Sequence, residues 1–258
     1  MQLWTYEHAI AILPAAAAMV LIAFVLRITI GKKDIRIRMI PFHVLSILIV
    51  LLEIGKQAVS LHRGYDLYHL PFHFCSLFIF VLPFMSLYKG RHIQAVRGIT
   101  AALCAAVFLM MLLYPNLIFS AGDVHNFTKD YLSFHTVAFH DTVIFALILI
   151  VALRLHEPQK TGEPRSVAVF TLLFCVVSAT MAQLLKTNYN NFYSCNIGPL
   201  EGLRLAIQES LGYGATQVLY VLIVTVLDIL FVQMSYWFYR GARHLVTNRL
   251  FRKKLAVK

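Results

Sequence analysis

Charge is what this sequence has least of. Only 14% of its 258 residues are charged, whereas 59% are hydrophobic. Soluble domains carry roughly 25% charged residues, so an ordinary soluble globule is excluded. No polar gap is long enough to build a separate core. Residues 1–258 therefore read as one integral membrane domain with a basic tail over about 240–258. No HExxH, CxxC, P-loop or GxGxxG stands in the chain, so no metal or nucleotide cofactor is expected. Internal repeats and low-complexity segments are missing too. Acidic residues number 12 against 23 lysines and arginines, for a formal charge of +11. An excess of that size raises the question of nucleic acid. The basic residues share no amphipathic surface, however. They lie between apolar segments, where they set topology, and no nucleic-acid partner is expected.

What the chain does have is seven long apolar stretches, at about 8–30, 39–61, 70–88, 98–114, 134–154, 167–187 and 215–239. Most reach the roughly 20 residues that a spanning helix needs. The runs are continuous and do not alternate, which argues against a β-barrel. The expected fold is all-α: a seven-helix polytopic bundle, multi-pass in the cell membrane. The first stretch has no basic residues before it and no obvious cleavage site, so it reads as a retained helix. Orientation comes from the gaps. Lys32, Lys33, Arg36 and Arg38, then Lys89, Arg91 and Arg97, then Arg154, Lys160 and Arg165 occupy alternate gaps. The tail adds Arg240, Arg243, Arg249, Arg252, Lys253, Lys254 and Lys258. The other gaps hold single basic residues, such as Arg63, Lys129 and Arg204. The positive-inside rule then puts the N-terminus outside and the C-terminus in the cytoplasm. Two outer gaps, 115–133 and 188–214, are longer than the rest. The second offers a short amphipathic helix with Leu200, Leu203, Ile207 and Leu211 on one face, suited to the outer interface.

Ionisable groups inside a membrane are costly and usually mark a site. With this orientation several fall near the outer side. In His69-Leu70-Pro71-Phe72-His73-Phe74-Cys75, Pro71 opens the third helix and Cys75 lies one turn in. A helix N-terminus and a nearby imidazolium both favour a thiolate. On a regular helix His73 and Cys75 face nearly opposite ways, so His73 suits a headgroup contact better than the role of base. Cys75 has a bland reading as a small buried hydrophobe, and a Cys75–Cys195 disulfide would remove the nucleophile. His135 and His140 lie five apart in the fifth segment, and a cysteine–histidine pair across helices is what nucleophilic catalysis needs. Glu53 and Lys56 are spaced to pair on one face, either structurally or around a substrate. Gln183, Lys186, Asn188 and Tyr189 supply donors at a helix end for an oxyanion or phosphate, although such residues are also common at helix ends. Asp228 and His43 fall at other depths and are left outside the cluster.

The order LPFHFC, FHTVAFHD, KTNYNNFY resembles the YwaF-like family of bacterial integral membrane proteins. It is also similar to eukaryotic membrane acyltransferases that remodel ether phospholipids through a cysteine and a histidine. The resemblance implies that Cys75 is the acyl-accepting nucleophile and His140 its base. His135 is the alternative match to the family histidine. The implied substrates are membrane lipids, and no soluble cofactor is required because the lipid brings its own acyl group. The competing expectation is a non-enzymatic lipid-binding protein or transporter, in which the same polar groups bind or relay.

Overall fold

The structure is a computed structural model. It describes residues 5–158, 162–196 and 198–255, with side chains as far as Leu245. Lys160 and Lys258 lie outside the described residues, as do the side chains of Arg249, Arg252, Lys253 and Lys254.

Among the described residues every regular element is helical. The order is α1 (Tyr6–Thr29), α2 (Ile35–His62), α3 (Phe78–Leu87), α4 (Ile93–Leu113), α5 (Ala121–Asn126), α6 (Tyr131–Ala152), α7 (Glu163–Leu185), α8 (Gly198–Leu211) and α9 (Tyr213–Leu255). Single 3-10 turns cover Leu67–His69, Cys75–Leu77, Pro115–Leu117 and Tyr189–Asn191. Six helices are long and apolar enough to cross a membrane: α1, α2, α4, α6, α7 and α9. The third apolar segment differs from expectation. Pro71 does not open a helix. Residues 70–74 stay non-helical, and the apolar helix runs only from Cys75 to Leu87. Tertiary contacts hold the stretch open: the Ser178 hydroxyl on α7 donates to the Phe72 carbonyl at 2.8 Å, and Phe72 and His73 pack on the Tyr189 ring.

α4 is the central element. Its run Ala101–Val107 is buried, and it packs on α6, α7 and α9. Small side chains (Ala101, Ala102, Ala105, Ala106) let the neighbouring backbones approach closely. α1 is the most peripheral span, and its lipid-facing Leu21, Phe24 and Ile28 are exposed.

Two polar layers tie the ends of the bundle. At the basic end three arginines from three helices reach the carbonyls that end α6. Arg38 donates to Leu153 at 3.0 Å, Arg97 to Leu155 at 3.1 Å, and Arg243 to Val151 and His156 at 3.3 and 3.2 Å. Val151 lies in the last turn of α6, and Leu153, Leu155 and His156 lie in the segment just after it. Below them His156 Nε2 lies 2.6 Å from Glu163 Oε1, and His156 Nδ1 lies 3.0 Å from the Tyr239 hydroxyl. Gly98 makes room, since a Cβ there would run into the Glu163 carboxylate. At the opposite end, His8 Nε2 donates to the Phe119 carbonyl at 3.0 Å. There too the Tyr131 hydroxyl donates to the Leu52 carbonyl at 3.1 Å, and Arg63 pairs with Asp130 at 2.8 Å. That pairing holds the Asp130 carboxyl below its usual range. The start of α1 and the end of α9 therefore lie at opposite ends of the bundle.

Candidate functional site

The polar cluster begins on α2. Glu53 is buried and accepts from Gln57 at 2.7 Å, with the Lys56 ammonium also 2.7 Å away. The three share a face because they are three and four residues apart. His135 on α6 brings Nε2 to 3.4 Å from the second Glu53 oxygen. Gln57 donates onward to the His69 carbonyl at 2.8 Å and accepts from the Tyr65 hydroxyl at 2.7 Å. The spacing read from sequence thus yields a real pair, and the structure adds His135 as its third member.

His140 lies one turn deeper on α6. Its Nδ1 is 2.6 Å from the Thr136 carbonyl. A carbonyl only accepts, so Nδ1 carries the proton and Nε2 keeps its lone pair in the neutral ring. That Nε2 is buried and has no hydrogen-bond partner among the described residues. Cys75 begins the 3-10 turn before α3 and is partly buried against the core. It is a free thiol, as is Cys195, so no disulfide removes it. Cys75 and His140 make no direct hydrogen bond among the described residues. His73 Nε2 donates to the Tyr68 carbonyl at 3.1 Å, and its ring lies 4.3 Å from that of Tyr68 and 5.3 Å from that of Tyr189. The first turn is irregular, so the opposite-faces expectation for His73 and Cys75 does not apply.

The 188–196 loop supplies the other wall. Tyr189 is fully buried, and its hydroxyl donates to the Leu67 carbonyl. Asn188 is occupied within the loop: its amide donates to Asn196 at 3.1 Å, and its oxygen accepts from the backbone of Tyr193 and Ser194. Lys186 caps α7 in the left-handed region and is exposed. Gln183 donates to the Phe192 carbonyl.

Asp228 corrects the sequence reading. Its apparent depth had set it apart, yet Asn190 Nδ2 donates to it at 2.8 Å and the Cys175 thiol lies 3.8 Å away. Cys175 follows Phe174, whose ring meets that of Phe74 at 6.0 Å. The non-helical stretch carries Phe74–Cys75 inward, while the left-handed pair Asn190–Asn191 turns the loop down to meet it. α9 holds this loop along one face. Gln217 donates to Phe192 and Tyr193, and the Tyr220 hydroxyl donates to Asn191 at 2.6 Å. Asp228 lies eleven residues from Gln217, about three turns away and nearly in line with it. That alignment on an otherwise apolar helix was the available signal.

A cavity of about 460 Å³ lies beside this wall, between α8, α9 and the loop. It is mostly apolar. Phe74, Asn190, Asn191 and Asp228 line its inner part, and Thr216 and Arg204 line the other end. Arg204 is committed to Glu201 by two contacts, at 2.6 and 2.8 Å.

A family model matches residues 3–236, nine-tenths of the chain. The chain belongs to the TMEM164 family. This TMEM164-family protein is accordingly a multi-pass membrane protein, in agreement with its six long apolar helices. No curated protein and no solved structure matches it. Among the described residues no cluster of three or more histidine, cysteine or acidic side chains is arranged to hold a metal ion.

Proposed function

We propose that this protein is a membrane-embedded acyltransferase acting on phospholipid acyl chains in the cell membrane, with Cys75 as nucleophile and His140 as base. The observation that carries the reading is the state of His140: one nitrogen is fixed by a carbonyl, and the other is buried and unpartnered among the described residues. Of the two histidines this favours His140, since His135 is committed to Glu53.

The Cys75 proton passes to His140 Nε2 through one water or a substrate hydroxyl, because the two side chains are not in direct contact. The sulfur attacks the acyl carbonyl, the ester C–O bond breaks, and the proton returns to the departing alkoxide. The lysolipid leaves and a Cys75 thioester remains. A hydroxyl of a second lipid then attacks the thioester, giving its proton to His140. That proton passes to the sulfur as the new ester forms. Glu53, Lys56, His73, His135, Lys186, Asn188 and Tyr189 are assigned to substrate binding, with Lys56 supplying positive charge for the oxyanion.

The chain crosses the membrane seven times, with α3 and residues 70–74 making the third crossing. The N-terminus is outside and the C-terminus cytoplasmic. Within the TMEM164 family it stands with the YwaF-like bacterial members, which share LPFHFC and TNY. The test is mass-spectrometric mapping of a hydroxylamine-sensitive acyl adduct on the purified protein. Wild type is expected to load Cys75, while Cys75→Ala and His140→Ala both lose the adduct and remain folded. A wild type that never loads, in cells whose lipids are unchanged by Cys75→Ala, overturns the reading in favour of lipid binding or transport.

A further inference from the structure

The cavity under α8 is not part of the cysteine–histidine pair, and its shape is specific. Its lining on α9 runs from Thr216 to Val232, about 24 Å at 1.5 Å per residue. With a volume of about 460 Å³, it is a slot drawn out along α9. Its walls are apolar: Leu203 and Ile207 on one side, Ile223, Leu227 and Phe231 on the other. Its inner part is bounded by Phe74, the residue before Cys75, and by the Asn190–Asp228 hydrogen bond. At the outer end the one lining arginine, Arg204, is neutralised by Glu201, so no free cation there selects an anionic head. Leu203, Ile223 and Leu227 remain exposed, so the slot opens sideways toward lipid.

We infer that this slot holds the single long acyl chain carried by Cys75 and measures its length. The inference rests on the thioester reading above. Cys75 does not itself line the slot, so the chain would leave the sulfur, pass Phe74 and run under α8. α8 forms a wall of the slot, which accounts for its apolar face being turned toward α9.

The experiment loads purified protein in phospholipid nanodiscs from p-nitrophenyl palmitate or p-nitrophenyl octanoate, with the Cys75 adduct followed by intact mass. Two variants fill the far part of the slot from opposite walls, Leu203→Trp on α8 and Leu219→Trp on α9. Each is expected to slow palmitoyl loading at least tenfold and leave octanoyl loading within twofold of wild type. Leu203 is a surface position, so that variant carries little folding risk. If both variants keep the wild-type palmitoyl-to-octanoyl ratio, the slot is not the chain site, while the thioester reading stands. Equal loss of both substrates in both variants also rejects chain-length selection. Failure of wild type to load either ester removes the thioester reading and this inference with it.

Discussion

At the scale of single residues, Glu53 is the side chain on which most partners converge. It faces Lys56, Gln57 and His135 at once. Removing one partner of a buried ion pair leaves an uncompensated charge and costs about 3–5 kcal/mol. Glu53→Ala is therefore expected to lower the thermal midpoint in detergent sharply, and adding Lys56→Met should restore part of the loss. An unchanged midpoint for Glu53→Ala would mean that the cluster is open to water. Gly98 makes a second expectation. A methyl group there meets the Glu163 carboxylate, which is held 2.6 Å from His156. Overpacking of this kind costs about 1–3 kcal/mol, so Gly98→Ala should be less stable, whereas Gly241→Ala, which meets nothing within 4 Å, should not. Of these residues the Glu53–Lys56 pair was legible from spacing. His135 as its partner was not, since nothing local in the sequence says which of two histidines turns toward α2.

Among elements, α8 is the most separable, since it packs chiefly on α9. Arg204 hydrogen bonds hold the Glu201 carboxyl below its usual range, and Glu201 also accepts from the Cys195 backbone at 2.8 Å. A lowered carboxyl pKa contributes stability that is present at neutral pH and is lost as pH falls through the lowered value, below the ordinary glutamate pKa of about 4.3. Hydrogen-exchange protection across 198–211, relative to the intrinsic rate at each pH, should stay constant from neutral pH down to that range and fall below it, and Glu201→Gln should abolish the step. α8 itself was readable from Leu200, Leu203 and Ile207 at helical spacing, and the long spans were readable from uninterrupted apolar runs. The start of α3 was not. Proline at a first turn is a sound local rule, but here the Ser178 hydroxyl and the Tyr189 ring, both distant in sequence, hold residues 70–74 open. Asp228 was misplaced for a related reason. Counting residues along α9 gives its depth, but not the depth of a loop that turns down through two left-handed asparagines.

For the whole molecule, the orientation is open to direct measurement. Reporter fusions should place the first residues outside and the last ones in the cytoplasm. Single cysteines introduced for labelling at Lys89 and at Gly64 should react from opposite sides of the membrane. The two ends of α3 carry this expectation, because α2 and α4 both begin at the arginine layer. Labelling of both sites from one side would remove the third crossing.

The brevity of that third helix has a consequence for the surrounding lipid. Cys75–Leu87 is 13 residues, about 20 Å of helix, beside neighbours able to span the roughly 30 Å of a hydrocarbon core. Were this helix alone to carry the third crossing, its deficit would be a hydrophobic mismatch. Bilayers relieve such mismatch by thinning locally, at fractions of a kcal/mol per Å. A dimple above residues 70–74 would bring headgroups down toward the thiol. Turnover should then depend on host bilayer thickness, falling as reconstituted lipids lengthen even when the reacting lipid is held constant.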